Sequence, residues 1–266
     1  QREQRKPDED RASDDMPRSQ SLLFALPQFA LGAITAPVFY VLPAFYAQYT
    51  SASLAALGSA LIVTRVFDAV SDPLIGYYGD RTRSRWGARK PWILFGSLLI
   101  AWSIWCLFTP DSQSGVNYFL FWSLVFYTGW TMFELPYGAW LSEVTRNYND
   151  RARISGCIGL AAQLGGFAFF AVFASGLFPS RSVSPELLAV MGAISAIALP
   201  ACTGLAVARV RAGVPVAERK TKLRDLFEGL TNNKPLRILL ISQLFGGLGG
   251  GIFLTTQLLL LTSYFG

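Results

Sequence analysis

Long apolar runs separated by short polar or basic segments are the main pattern of the sequence. A helix that crosses a bilayer needs roughly 20 mostly apolar residues, and seven segments meet this criterion. The strands of a membrane β-barrel would instead alternate between apolar and polar residues over about ten positions. The pattern therefore predicts an all-α, polytopic membrane protein with spans at 21–48, 54–78, 91–109, 117–142, 154–178, 185–208 and 236–263.

Lysine and arginine are concentrated on one side of these spans. Of the 23 such residues, 21 lie in the N-terminal tail and in alternate connections, Arg181 lies on the opposite side, and Arg65 lies inside the second span. Cytoplasmic loops carry this kind of excess in membrane proteins. We therefore predict a multi-pass protein of the cell (inner) membrane with a cytoplasmic N-terminus. Its net charge of +6 follows from this topology, so the expected partner is the lipid bilayer and not nucleic acid.

The spans are unevenly grouped along the chain. We expect residues 1–18 to form a disordered cytosolic tail, 19–208 a six-helix transporter domain, 209–235 a cytoplasmic linker and 236–266 a seventh helix. This order is typical of one half of a twelve-helix transporter followed by the start of its second half. The missing C-terminal helices, or another membrane subunit, are therefore expected partners. A natural seven-helix protein is the alternative.

The composition excludes several kinds of chemistry. Only 15% of the residues are charged, against about 25% in an average soluble domain. The chain has no His, so His-based catalytic triads and His metal ligands cannot form. Its three Cys are widely spaced within apolar runs, which fits neither a zinc site nor a disulfide framework. We therefore expect no enzymatic activity and no cofactor.

Four ionisable residues lie well inside the predicted spans, namely Arg65, Asp68 and Asp72 in the second and Glu134 in the fourth. Each costs roughly 2.5–3.5 kcal/mol at a helix centre. Arg65, Asp68, Asp72 and Gly76 are spaced by three or four residues and share one helix face. Counting residues from the predicted cytoplasmic helix ends places the three carboxylates at a similar depth. Three carboxylates against one Arg leave an excess of negative charge, which a bound cation or a proton would relieve.

Hydroxyl groups beside these acids favour a cation site. Ser71 and Thr131 lie next to the carboxylates, and oxygen ligands of this kind suit a hard cation such as Na⁺. We therefore predict a cation site at Asp68, Asp72, Thr131 and Ser71, with Na⁺ or H⁺ as the coupling ion. The alternative is a buried ion pair between Asp68 and Arg65, with the other acids facing solvent.

Two strings of the sequence resemble a known transporter family. RVFDAVSDPLIGYYGDRTRSRWGARKPWI, from Arg65 to Ile93, contains the G-x-x-x-D-R loop of the major facilitator superfamily. It is similar to the glycoside–pentoside–hexuronide:cation symporters, the melibiose-permease family. ELPYGAWLSEVTRNYNDRARISG, from Glu134 to Gly156, resembles the fourth helix and following loop of the same family. The resemblance implies a major facilitator fold, with seven transmembrane helices present of an expected twelve, and cation-coupled symport by alternating access.

The resemblance also implies roles for individual residues. Asp68 and Asp72 match the cation-coordinating acids, Thr131 matches a hydroxyl of that site, and Ser71 stands where the family often has Asn. Glu134 matches a fourth-helix acid that contacts sugar hydroxyls. These matches imply that the cation and the solute bind close together.

The sequence departs from melibiose permease at several sugar-binding positions. The first span, with ALGAITAP, lacks an acid, and Gly138 and Gly159 stand where the permease has a Trp and an Arg. We therefore expect symport of a small polar solute, a glycoside or a sugar acid, but not of a melibiose-like sugar. A family branch that carries lysophospholipids shares the second-helix acids and is the alternative solute class. A non-transporting seven-helix membrane subunit is the alternative from another class.

Two further groups of residues are predicted from their positions. Three intramembrane amides are expected to line the solute cavity, namely Gln28, Gln163 and Gln243. The loop after the second span is expected to latch the cytoplasmic helix ends through Gly76, Asp80, Arg81 and Arg85, while Arg65 forms a structural ion pair deeper in the span.

Overall fold

The computed structural model describes most of the first 213 residues and a few later ones. The described ranges are 16–82, 84–145, 147–175, 184–213, 233–235, 237–239, 241–243, 245–246 and 249. The chain divides into two compact units, Gln1–Val216 and Ala217–Gly266. In the second unit, the described residues from 234 to 249 are helical. The predicted tail and linker fall almost entirely outside the described residues, so the predicted domain boundaries remain predictions.

The described part of the first unit is helical throughout its secondary structure. Its helices are α1 (Arg18–Ala36), α2 (Leu42–Tyr49), α3 (Leu54–Arg81), α4 (Lys90–Phe108), α5 (Val116–Val144), α6 (Tyr148–Ala174) and α7 (Pro185–Arg209). A π-helical turn, Pro37–Val41, joins α1 to α2, so these two helices together fill the first predicted span. The other five helices match the next five predicted spans, which confirms the all-α prediction.

Five of the described helical segments are long and apolar enough to cross a membrane. They are Arg18–Phe39, Leu54–Arg81, Lys90–Phe108, Tyr148–Val172 and Pro185–Arg209. Helix α5 has 29 residues but is not among these five, because its many Tyr and Trp residues lower its mean hydropathy. The multi-pass prediction is confirmed, whereas the count of seven spans is not. Most of the seventh predicted span lies outside the described residues.

Side-chain caps determine where several of the helices begin. The Ser53 hydroxyl accepts a hydrogen bond from the amide of Ala56 at the start of α3, and Ser184 does the same for α7. Such caps satisfy amides that have no partner within the helix. Helix α6 begins at Tyr148, six residues before the span predicted from residue 154, because Asn147 caps it within the basic loop. Hydropathy predicted the membrane-spanning part of α6 but not the polar first turn of this helix.

Glycines allow the helices to pack closely. Helix α1 lies against α6 at Gly32 and Gly165, and α4 lies against α5 at Gly96 and Gly129. A methyl group at any of these four positions would meet backbone atoms of the facing helix. Small residues permit this close approach in membrane helix pairs. Helix α3 packs on α5, and α7 packs on α1 and α4.

An aromatic cluster joins α1 to α5 next to the predicted site. The ring of Phe24 lies 4.7 Å from the rings of both Tyr137 and Trp140, and Tyr137 stacks on Phe133. The Tyr137 hydroxyl also donates a hydrogen bond to the carbonyl of Phe24. Because all four side chains are buried, this cluster holds the α5 turn that carries Glu134 against α1.

Candidate cation and solute site

The face of α3 that carries the two aspartates meets hydroxyl groups of α3 and α5. The Thr131 hydroxyl donates to Oδ1 of Asp72 at 2.7 Å. The Ser71 hydroxyl, on the same helix as the acids, donates to the backbone carbonyl of Asp68 at 3.4 Å. Thr131 and Ser71 are both buried. The structure thus brings Thr131 to one predicted acid, whereas Ser71 contacts the backbone and not a carboxylate.

Within the described residues, one carboxylate oxygen of Asp68 lacks a hydrogen-bond partner. Its Oδ2 lies 3.4 Å from Nη1 of Arg65, and 17% of its side chain is exposed. Its Oδ1 is buried and has no hydrogen-bond partner among the described residues. A buried acceptor left in this way is costly unless a ligand satisfies it. The atom is therefore available to coordinate a cation or to carry a proton.

Arg65 is held by aromatic groups as well as by Asp68. Its guanidinium carbon lies 4.7 Å from the ring centroid of Tyr127 and 5.6 Å from that of Phe39, and Nη2 donates to the Tyr127 hydroxyl at 3.2 Å. Sequence reasoning predicted the ion pair with Asp68 but neither aromatic contact. The 62-residue separation of Arg65 and Tyr127 shows why, since no local spacing rule connects them.

Glu134 is bound to α1. The Gln28 side-chain amide donates to Oε1 of Glu134 at 2.8 Å, and Gln28 is buried. Thr131 and Glu134 are three residues apart on α5 and therefore lie on one face. One turn of this face therefore bonds to Asp72 through Thr131, and the next turn bonds to Gln28 through Glu134. These two bonds connect α3, α5 and α1.

The three carboxylates do not form one cluster. Among the described residues, no group of three or more His, Cys, Asp and Glu side chains is arranged to hold a metal ion. The expectation that Glu134 adds its charge to Asp68 and Asp72 therefore needs correction. Residue counting gave a similar depth for all three, but it carries no information on lateral direction. Glu134 bonds to α1, whereas Asp72 bonds to Thr131.

The other two predicted amides do not join this group in the same way. Gln163 lies on α6 with an exposed side chain, and within the described ranges no hydrogen bond connects it to the acids. Gln243 belongs to the second unit, where its side chain is exposed. Their predicted role in lining the cavity remains a prediction.

The ion pairs at the end of α3 use an arginine that the sequence reasoning did not select. Arg89 contacts Asp80 through Nη1 at 2.5 Å and Glu143 through Nε at 2.9 Å. Arg81 and Arg85 instead lie over the rings of the neighbouring Tyr77 and Trp86. In this structure Asp80 pairs with Arg89, and the latch expected through Gly76, Asp80, Arg81 and Arg85 remains a prediction.

The chain turns sharply before Arg89, and this turn explains why the sequence did not predict Arg89 as the partner of Asp80. Gly87 has φ +99°, in the left-handed region that favours glycine, and the turn returns Arg89 to α3 and α5. Burial opposes the charged form of Arg89, but hydrogen bonds and charge attraction from Asp80 and Glu143 together outweigh it and raise the pKa of Arg89. Gly76 lies one helical turn before Asp80 on α3 and faces Leu135 of α5.

Comparison with known proteins gives a consistent set of relatives. A family profile described as MFS/sugar transport protein matches residues 23–266. The uncharacterized symporter YnaJ of Bacillus subtilis is 35% identical over 231 residues, which cover 82% of this chain and 49% of that protein. The glucuronide carrier protein homolog of Escherichia coli is 31% identical over 144 residues, or 51% of this chain and 29% of that protein.

A vertebrate protein is also similar. The sodium-dependent lysophosphatidylcholine symporter 1 of Gallus gallus is 33% identical over 96 residues, covering 34% of this chain and 18% of that protein. The chain spans about half the length of the Bacillus subtilis relative and smaller shares of the other two.

Proposed function

Because the chain belongs to the MFS/sugar transport family, we propose that the full-length protein is a secondary active transporter. It couples Na⁺ or H⁺ to the symport of a small polar solute, a glycoside or a sugar acid, by alternating access. The observation that carries this proposal is the pair Asp68 and Asp72 on one face of a membrane-crossing helix. One oxygen of Asp68 has no partner within the described residues, and Asp72 accepts a hydrogen bond from Thr131.

The cation binds between the two aspartates in this proposal. Asp68 Oδ1 and the Asp72 carboxylate supply charged oxygens, and the Thr131 hydroxyl supplies a neutral one. Ser71 supports the site through its bond to the Asp68 backbone. Without a cation, two neighbouring acids inside a span are unfavourable, because their desolvation is only partly offset by Arg65. Binding of a cation or a proton relieves this cost.

The solute binds at Glu134, and the site couples it to the cation through α5. A cation at Asp72 orders the α5 face that carries Thr131, and Glu134 follows three residues later. Gln28 holds the Glu134 carboxylate and can share its hydrogen bonds with sugar hydroxyls. Each ligand therefore favours the arrangement that binds the other, and the coupling free energy is reciprocal. Gln163 and Gln243 would line the remainder of the cavity.

The names of the relatives support this reading. One is called a symporter and another a glucuronide carrier homolog. The lysophosphatidylcholine symporter supports an amphiphile as the second candidate solute, and its name specifies sodium. Helices beyond this chain, or another membrane subunit, would complete the cavity. Lysine and arginine distribution supports a cell (inner) membrane protein whose N-terminus is cytoplasmic.

Uptake by the complete transporter tests the proposal. The full-length protein is reconstituted into liposomes under an imposed Na⁺ gradient or pH gradient, with neutral glycosides, sugar acids and lysophosphatidylcholine offered separately. We expect one solute class to accumulate only when a cation gradient is present, and Asp68→Asn to abolish this accumulation. The absence of cation-driven uptake for every solute would refute symport. Cation-driven uptake of lysophosphatidylcholine alone would instead establish the second candidate.

A further inference from the structure

The four residues that follow α7, 210–213, pack against the ends of α4 and α5, and we call this segment the strap. Its contacts are buried, since Val210 is 2% exposed and Trp140 of α5 is fully buried. The Trp140 indole donates to the carbonyl of Arg211 at 3.0 Å. Arg211 in turn donates through Nη2 to the carbonyl of Val144 at 2.6 Å. The strap is therefore bonded to α5 both as acceptor and as donor.

Lys90 attaches the strap to α4. Its buried ammonium donates to the carbonyls of Val207 and Val210 at 2.7 and 2.6 Å, and it lies 5.4 Å from the ring centroid of Trp140. Among the described residues, no carboxylate lies within salt-bridge distance of Lys90. Lys90 is also the first residue of α4, where a positive charge opposes the helix dipole, whereas the same charge at the end of α7 is favourable. The carbonyls at the end of α7 therefore stabilise the buried charge of Lys90.

Two glycines with positive φ fit the strap to its surroundings. Gly213 has φ +83°, and a methyl group there would lie 2.7 Å from the backbone carbonyl carbon of Glu143. Gly87 has φ +99°, and a methyl group there would lie 3.2 Å from the side chain of Ala212. Gly87 belongs to the turn that places Arg89 between α3 and α5. Because the strap contacts both this turn and the end of α5, its displacement would disturb both.

Trp140 connects the strap to the proposed solute site. Its ring lies 4.7 Å from the ring of Phe24, in the aromatic cluster that holds the α5 turn carrying Glu134 against α1. Trp140 and Glu134 are six residues apart on α5, or about 9 Å along the helix axis. The docked strap therefore fixes α5 directly after this turn, while Gln28 bonds to Glu134 itself. Because the linker begins at the strap, a displacement of the linker reaches the solute site through α5.

We propose that residues 210–213 are a positioning strap for the solute site, through which the linker controls solute affinity. With the strap docked, α5 presents Glu134 to the solute. When the linker is displaced, Lys90 and Trp140 lose their partners and the turn that carries Glu134 loosens. In alternating access one group of helices moves against the other, and the linker joins the two groups. This inference rests on the proposed function and adds a route by which that movement lowers affinity and promotes release of the solute.

The solute affinity of strap variants tests the inference. Methyl β-glucoside, methyl β-glucuronide and lysophosphatidylcholine are offered to the full-length transporter with and without Na⁺, at acidic and neutral pH. The probe that the wild type binds in a cation-dependent way is then used throughout. Gly213→Ala places a methyl group against Glu143 and should weaken binding of this probe about tenfold, within the usual range of coupling between two sites. Gly204→Ala is the matched control within α7, where nothing lies within 4 Å of the added methyl group, and should leave affinity unchanged.

Lys90→Met is an independent way to release the strap. It keeps a long, flexible side chain but removes both hydrogen bonds to the end of α7, so we expect a similar loss of affinity. The double variant with Gly213→Ala should bind no more weakly than either single variant, because both changes release the same strap. A merely structural role would instead lower thermal stability and leave affinity as in the wild type. Gly192→Ala, which crowds Phe108 far from the strap, should lower stability without changing affinity.

The possible results separate the two proposals. If no probe binds in a cation-dependent way, the proposed function fails, and the inference fails with it. If the wild type binds a probe and either Gly213→Ala or Lys90→Met keeps wild-type affinity, only the inference fails. A further loss of affinity in the double variant would also overturn it, because the two changes would then act separately. If Gly213→Ala is not folded, Lys90→Met and Trp140→Phe, which removes the indole donor to the strap, decide, and unchanged affinity in both would overturn the inference.

Discussion

Two arginines connect α3 and α5, and they do so in contrasting ways. At the end of α3, Arg89 bonds both Asp80 and Glu143 at short distances, and the Glu143 side chain is 5% exposed. In the middle of α3, Arg65 contacts Asp68 only at 3.4 Å and remains more than half exposed.

The contrast also extends to the acids. Glu143 has a close ionic partner, whereas Asp68 Oδ1 is buried without a hydrogen-bond partner in the described part of the chain. Buried polar groups are normally satisfied, and the exceptions need an explanation. The end of the helix pair is therefore stabilised by completed contacts. The middle is left incomplete, which is the arrangement expected where ligands supply the missing contacts.

The predicted topology places the Arg89 end of α3 on the cytoplasmic side. Labelling of single cysteines tests this topology and gives the largest expected effect, because each site reacts either from one side or not at all. In a full-length variant without its native cysteines, Ala217→Cys in the linker should react with a membrane-impermeant thiol reagent only from the inside. Ser112→Cys, in the connection between α4 and α5, is the matched control and should react only from the outside. Labelling of residue 217 in intact cells would reverse the predicted topology.

Removing Arg89, which pairs with both Asp80 and Glu143, should have the largest effect on stability. Arg89→Ala leaves Glu143 as a buried, unpaired charge, so we expect a loss of about 3 kcal/mol in the free energy of unfolding. Arg85→Ala, which removes only a contact over Trp86, should change stability by less than about 0.5 kcal/mol. Thermal unfolding of the detergent-solubilised full-length protein measures both. Equal effects would show that the Arg89 contacts add no particular stability.

Neutralising either aspartate in the middle of α3 should remove the stabilisation by Na⁺ without lowering the stability of the ion-free protein. Wild-type protein at about 100 times the Kd for Na⁺ should gain about 2.7 kcal/mol of stability from the ion. Asp68→Asn and Asp72→Asn should lose this gain without losing stability in the absence of Na⁺, because a neutral amide costs less inside a membrane than a carboxylate. For proton coupling, the same comparison is made between acidic and neutral pH.

The outcome reverses if the acids only neutralise Arg65. Asp68→Asn would then destabilise the protein in every buffer, while Asp72→Asn would be nearly silent. Retained Na⁺ or proton dependence in both variants would remove the cation site from the proposal.

A single hydroxyl should give the smallest effect. Thr131→Val keeps the side-chain shape but removes the hydrogen bond to Asp72, so we expect a loss of about 1 kcal/mol in stability and of about fivefold in cation affinity. Thr128→Val, one turn earlier on α5, removes only a bond to the carbonyl of Leu124 and is the matched control. Equal cation affinity in the two variants would exclude Thr131 as a ligand.

Much of this protein could be predicted from its sequence because lipid imposes a simple physical rule. Every backbone group inside a bilayer must be hydrogen-bonded within the protein, so a long apolar run forms a helix. Helical periodicity then places Arg65, Asp68 and Asp72 on one face without further information. The family could be recognised for the same reason, since its motifs are short stretches in which neighbouring residues act together.

Only the tertiary structure decided which side chains meet across helices. The hydrogen bonds of Thr131 with Asp72, Gln28 with Glu134 and Arg89 with Glu143 join residues 59, 106 and 54 positions apart. Helix rotation and close glycine packing determine these contacts, and neither follows from local periodicity. Counting residues gave the depth of each carboxylate but not its lateral direction. For this reason the sequence predicted one cluster of three acids, whereas packing directs Glu134 to α1 and Asp72 to Thr131, and leaves Asp68 beside Arg65.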